Sequence, residues 1–237
     1  MSCKDANMLK LTKKPKSPLI ITAFPGFGLV GTIAVEFLIE HLKTEEIGKI
    51  VMKSEIPVVA IHEGILVEPL SIHYSRKYNI VLVRSVNKIS KNFAELSADF
   101  TALEEALLPK EVIILDGVNS PTGSSEIYYF SKQEKQGEKY KQAGLKKLSE
   151  GIIIGAPAML LSQCDNSSCI FAETKSEMPD SRTAAEIIKV LDRVFKLEVD
   201  YNPLYETAKK FETRLRQLEE RSKLLERDNH KDMNYVG

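Results

Sequence analysis

Apolar positions along the chain alternate between short continuous runs and three- or four-residue stripes, the pattern of strands separated by helices. Leu19-Ile20-Ile21-Thr22-Ala23 reads as a buried strand, closed by Phe24-Pro25-Gly26-Phe27-Gly28-Leu29-Val30-Gly31 and followed by an amphipathic helix over 32–43. A second strand is predicted over 47–53. Strands over 58–62 and 65–73 follow, meeting at the Glu63-Gly64 turn pair as a hairpin. Ile80-Val81-Leu82-Val83 gives a strand over 79–84 buried on both faces. Phe93, Leu96, Phe100, Leu103 and Leu107 draw a helix that Pro109 stops. A buried strand over 111–116 ends in a turn-rich loop over 117–123.

The stretch 131–148 is charged and weakly helical. Gly151-Ile152-Ile153-Ile154-Gly155-Ala156-Pro157 reads as another short strand breaking at glycine and proline, with the chain turning over 158–163. A last strand falls over 168–174. Thr183 and Glu186 have capping-box spacing, and Ala184, Ile187, Ile188, Leu191, Val194 and Phe195 form one apolar helix face. Such alternation predicts an α/β fold, a three-layer sandwich around a mixed, mostly parallel sheet.

The last helical pattern differs in kind. Leu204, Ala208, Phe211, Leu215, Leu218, Ser222 and Leu225 alternate in steps of four and three, a heptad seam over 203–228. Such a seam serves docking on its own domain, self-association or binding a partner. The expected organisation is a loose lead over 1–17, a domain over 18–202, this helix, and a flexible polar tail over 229–237.

Composition narrows the function classes. With 33 basic and 33 acidic residues the formal charge is zero, which gives no electrostatic case for nucleic acid or anionic membrane. No run approaches the roughly 20 apolar residues of a membrane span. Cys3, Cys164 and Cys169 lack framework or zinc-site spacing, so free thiols in a cytoplasmic protein are expected.

Gly26, Gly28 and Gly31 form G-x-G-x-x-G between a strand and a helix, the setting of a dinucleotide fingerprint. Glu55 lies where a ribose-binding acid belongs. Against that, Phe27 occupies space a pyrophosphate needs, and no Lys or Arg lies in the loop. The other reading is architectural: a tight turn at Gly26 and Gly28, and close helix packing at Gly31. Asp116 ends a buried strand, where α/β ligand sites gather, and joins the glycines as a weak cofactor-binding candidate. His62 and His73 flank the hairpin near Glu63 and Glu68 without diagnostic spacing, so surface strand positions are expected for both. Asp180 reads as a helix cap. No catalytic triad assembles, and no cofactor or metal is expected.

The chain resembles the proteasome assembly chaperone family of the second-subunit type, especially its archaeal members. The likeness is carried by 24–31 with its following helix, Gly155-Ala156-Pro157 with Leu160 and Leu161, and the strand at 169–173. Met178-Pro179-Asp180 leading into Thr183-Ala184-Ala185, and Val199-Asp200, complete it. The resemblance implies a phosphorylase/hydrolase-like fold without established catalysis, ATP-independent proteasome assembly, and homo-oligomers. An enzymatic alternative stays open, a small-molecule- or nucleotide-binding enzyme, ligase-like or phosphorylase-like, using the Gly26 to Gly31 loop. Partner-binding candidates are Phe211, Leu215, Leu218 and Leu225 on the seam and Tyr235 and Val236 on the tail. Ring-docking tails end hydrophobic-Tyr-any residue. Here Tyr235 is third from last, one position out of that register.

Overall fold

A computed structural model describes residues 9–52, 60–62, 65–89, 93–120, 126–174 and 177–200, with Glu206, Lys209, Lys210 and Thr213 beyond them. Its elements in chain order are β1 (Leu9–Leu11), β2 (Leu19–Ala23), α1 (Val30–His41), β3 (Glu45–Ile50), β4 (Ala60–His62), β5 (Ile65–Val67) and β6 (Leu70–Ser75). They continue with β7 (Ile80–Ser85), α2 (Phe93–Leu107), β8 (Glu111–Asn119), β9 (Ile127–Ser131) and α3 (Glu134–Gln142). The last are β10 (Lys146–Lys147), α4 (Ala156–Gln163), β11 (Ser167–Thr174) and α5 (Ser181–Phe195).

Among the described residues nine strands form one sheet in the order β1-β3-β6-β7-β2-β8-β11-β9-β10. Neighbours from β7 through β2 and β8 to β11 are parallel. The pairs β1–β3, β3–β6, β6–β7 and β9–β11 are antiparallel. The expected mixed, mostly parallel α/β sandwich is therefore present.

Strand alternation divides the core into two layers. Ile21, Leu82, Ile113, Leu115 and Ile170 meet α1, α3 and α5 on one face. Ile20, Val81, Val83, Ile114 and Phe171 meet α2 and α4 on the other. At the amino end of β8, the buried Glu111 pairs with Lys139 and accepts from Tyr140 Oη (2.9 Å) and Ser168 Oγ (2.6 Å). Burial, then the Glu111 charge, pushes the Tyr140 phenol well up. This network fixes α3 to the sheet.

Four local readings change. Leu9–Leu11, inside the stretch read as a loose lead, pairs with Gly48–Ile50 as an edge strand. The loop read from 117 begins later, because β8 keeps pairing with β11 through Thr174 opposite Asn119. The charged stretch 131–148 holds α3 and β10, and β9 lies just before it over the β-prone run Ile127-Tyr128-Tyr129-Phe130, which the sequence reading leaves unassigned. The strand read at 151–157 is absent. Ile153 packs inward, Ile152 and Ile154 are 94% and 79% exposed, and pairing stops at Lys147. Three β-branched residues imitate a buried strand, but residues 151–154 adopt no regular structure and the helix α4 starts at Ala156.

The seam candidates Phe211, Leu215, Leu218 and Leu225, the tail residues Tyr235 and Val236, and Glu55 lie outside the described residues. Glu206, Lys209, Lys210 and Thr213, which fall between seam positions, are helical and exposed. Thr213 Oγ1 donates to the Lys209 carbonyl at 2.9 Å, one helical turn back.

Candidate functional site

The helix after β2 packs on one face of the sheet and the helix after β7 on the other, so the chain switches sides at the carboxyl ends of these adjacent parallel strands, the position where open α/β sheets gather their ligand sites. The glycine turn borders it. Gly26 is exposed and extended (φ −128°, ψ −158°), and residues 27–29 form a single 3-10 turn. Gly28 sits at φ +63°, a left-handed conformation that costs a residue with a Cβ.

What fills the turn is the chain itself. A Cβ on Gly28 would fall 2.8 Å from Thr174 Cγ2, and one on Gly31 would overlap the Leu115 carbonyl. The Gly117 Cα faces the Phe27 carbonyl just as closely. The Gly28 carbonyl accepts from the Asp180 N–H at 2.9 Å. Asp180 in turn caps α5, accepting from the Thr183 N–H (2.9 Å), Thr183 Oγ1 (2.7 Å) and Thr174 Oγ1 (2.7 Å). Burial pushes the Asp180 carboxyl up, but these bonds together with one from the Arg182 backbone hold it below its ordinary value. The expected cap is thus also the clamp between glycine turn, β11 and α5.

Asp116 lies beneath the exposed Gly26, where a glycine Cβ would sit 2.5 Å from Asp116 Oδ1. The Gly117 N–H donates to that oxygen at 2.9 Å. Burial raises the carboxyl from 3.8 to about 6, and the Gly117 bond offsets part of the rise. Gly26, Gly28, Gly31 and Asp116 are therefore brought together, but not as a phosphate cradle. An acid stands under the loop, no basic residue lies in it, and the close approaches are occupied by Thr174, Leu115 and Phe27.

The histidines separate. His62 is opposite Ile65 in the small β4–β5 sheet, whereas His73 is on β6 in the main one. His73 is 7% exposed, which corrects the surface position expected for it. Arg84 Nε donates to Ser71 Oγ at 3.0 Å, and Ser71 Oγ is hydrogen-bonded to His73 Nε2 at 2.9 Å. Arg84 also pairs with Glu36 of α1 at 3.2 Å. Burial and the Arg84 cation lower His73 to about 4, leaving it neutral. Sequence reasoning missed this chain. Its one signal was Arg84 ending an otherwise apolar strand.

Among the described residues no group of His, Cys, Asp and Glu side chains has metal-binding geometry, and no helix is long and apolar enough to cross a membrane.

Fold and turn together define a doubly wound α/β sandwich whose glycine motif is an architectural joint. The chain belongs to the PAC2 family, whose model matches residues 20–219. It is 28% identical over 221 residues to protein MJ0106 of Methanocaldococcus jannaschii, covering 90% of this chain and 91% of that one. It is similar to the crystal structure of Pyrococcus furiosus PbaA, an archaeal homolog of proteasome-assembly chaperone. That match has a TM-score of 0.80 and 25% identity, and covers 92% of this chain and 99% of PbaA. Pyrococcus furiosus PbaB, an archaeal proteasome activator, shares the fold with a TM-score of 0.72 at 20% identity over 89% of this chain and 98% of PbaB.

Proposed function

We propose that this protein is a non-enzymatic, assembly-chaperone-like binding protein that engages proteasome subunits, without ATP, as a cytoplasmic homo-oligomer. The observation that carries the reading is the match to PbaA along nearly the whole length of both chains. Two physical features support it. The self-filled glycine turn leaves no phosphate cradle for a nucleotide. Ile152 and Ile154 present two large aliphatic side chains to solvent, a cost that a partner surface offsets. In this reading Phe211, Leu215, Leu218 and Leu225 of the heptad helix join the self-contact, and the tail with Tyr235 and Val236 serves as a secondary contact.

The test is retention of purified proteasome α subunits on the immobilised protein, with and without residues 229–237. Retention by both forms is expected, because in this reading the body of the protein carries the contact. No retention by either form overturns the proposal. A nucleotide-binding enzyme, the competing reading, requires a thermal shift with a nucleotide panel. A ligand at 100 times its dissociation constant adds about 2.7 kcal/mol.

A further inference from the structure

We propose that the groove between α5 and the turn joining α3 to β10 is a receptor for an aliphatic carboxylate, with the charged end on Arg193 and the alkyl part on an aliphatic wall. The inference goes beyond the assembly reading and does not depend on it. Glu186, Lys189, Val190 and Arg193 recur at three- and four-residue spacing, so they form one stripe of α5. That stripe faces Ala143, Gly144 and Leu145 of the turn across a cavity of about 220 Å³, which Ile127 of β9 also lines. Drug-sized ligands fill roughly 300–1,000 Å³, so this opening takes only a small molecule or the end of a chain.

The Arg193 head is held by a neutral partner. Its Nη1 donates to the Ala143 carbonyl at 2.5 Å, an acceptor presented at the carboxyl end of α3. That bond positions the guanidinium and leaves its charge in place, and a carboxylate is the acceptor that matches such a planar fork. Gly144, at φ +90°, lies on the same side. A Cβ there would be 3.7 Å from Nη1, and glycine leaves that approach open. One turn before Arg193, Lys189 is held beside the groove by Glu186 at 2.6 Å. The stripe thus brings two cations and one acid to the cavity, and Arg182, one turn before Glu186, adds a third cation on the same side of the helix. Ile127, Leu145 and Val190 supply aliphatic surface at the same opening, which a bare inorganic anion would not use. A cationic head beside an aliphatic wall suits a carboxylate carrying a short alkyl group.

The test follows the Gly144 and Val190 amide resonances of the full chain, at constant ionic strength, during titration with sodium butyrate. Saturable shifts are expected, with a dissociation constant on the order of millimolar for so small a ligand. n-Butylammonium chloride, an alkyl chain of the opposite charge, should give none. Arg193→Gln should weaken butyrate binding about tenfold or more. Glu186→Gln keeps the Arg193–Ala143 contact and removes a like charge, so it should tighten binding severalfold, which a merely structural role for the stripe would not produce. A parallel titration with a short acetylated peptide ending in valine distinguishes the sources. Tighter binding than butyrate assigns the carboxylate to the end of a partner chain, and equal or weaker binding assigns it to a free small acid. Shifts that grow linearly with concentration, or an equal response to n-butylammonium, overturn the proposal. So does unchanged affinity in folded Arg193→Gln, or unchanged or weaker binding in Glu186→Gln.

Discussion

Two buried ionisable groups pull the stability of this protein in opposite directions over the same pH range. Asp116 is raised from 3.8 to about 6, so the native state holds its proton more tightly than the unfolded chain. Stability from this group is gained as pH falls from about 6 toward 4, and is missing above. His73 is lowered from 6.5 to about 4, so the unfolded chain binds that proton more tightly. Its contribution is present above 6.5 and is lost as pH falls toward 4. Each shift of about two units corresponds to at most roughly 3 kcal/mol, less for Asp116 because it is partly exposed. The two slopes therefore nearly cancel in the native sequence. Asp116→Asn should melt higher than the native protein at pH 7, with the advantage gone near pH 4. His73→Gln should leave the Asp116 slope alone, so its melting temperature should rise as pH falls from about 6 toward 4, whatever offset its packing adds. Thermal melts at half-unit steps between pH 4 and 7 check both, and parallel curves for all three proteins would remove the assignment.

At the scale of the element, the glycine turn makes three different demands that one motif spells identically. Gly31 meets the backbone carbonyl of Leu115, which cannot move without parting α1 from β8. Gly28 adds left-handed backbone to a contact with the Thr174 methyl. Gly26 faces only the end of the Asp116 side chain, which can rotate aside. Substitution by Ala should then cost about 3 kcal/mol or more at Gly31, about 2 at Gly28 and well under 1 at Gly26. Urea denaturation ranks them. Equal costs would mean that the turn is not a joint of this kind. The sequence made the turn visible because strand, glycines and helix follow one another within a few residues. Local order likewise revealed β2, β7, α2, α5 and the Asp180 cap. It did not reveal β9, whose place between β11 and β10 depends on pairing with strands distant in the chain. The Glu36–Arg84–Ser71–His73 chain was hidden for the same reason, since its members come from α1, β7 and β6. The run Ile152-Ile153-Ile154 misled in the other direction, because propensity reports a preference for strands and not whether a neighbouring strand is available.

At the scale of the molecule, that run is the part of the surface least explained by the fold of one chain. Ile152 and Ile154 stand exposed beyond the β10 edge while Ile153 between them anchors the segment to the core. Burying a large aliphatic side chain contributes about 1.5–3 kcal/mol, so the pair can anchor a self-contact but cannot constitute one. A stable interface needs on the order of 800 Å² per partner, and in the proposed reading the heptad-patterned segment over 203–228 supplies the remainder. The two contributions are separable. Ile152→Asp with Ile154→Asp removes no core contact, so the protein should keep its melting temperature while its mass by light scattering falls toward the 26.6 kDa of one chain. Leu215→Asp with Leu218→Asp should lower the mass equally if the seam lies in the same interface. It should instead lower the melting temperature at unchanged mass if the seam docks on its own domain. An assembly that survives the isoleucine substitutions intact would place the self-contact elsewhere, and the exposed pair would then belong to the client surface, where the same substitutions should abolish retention of proteasome subunits.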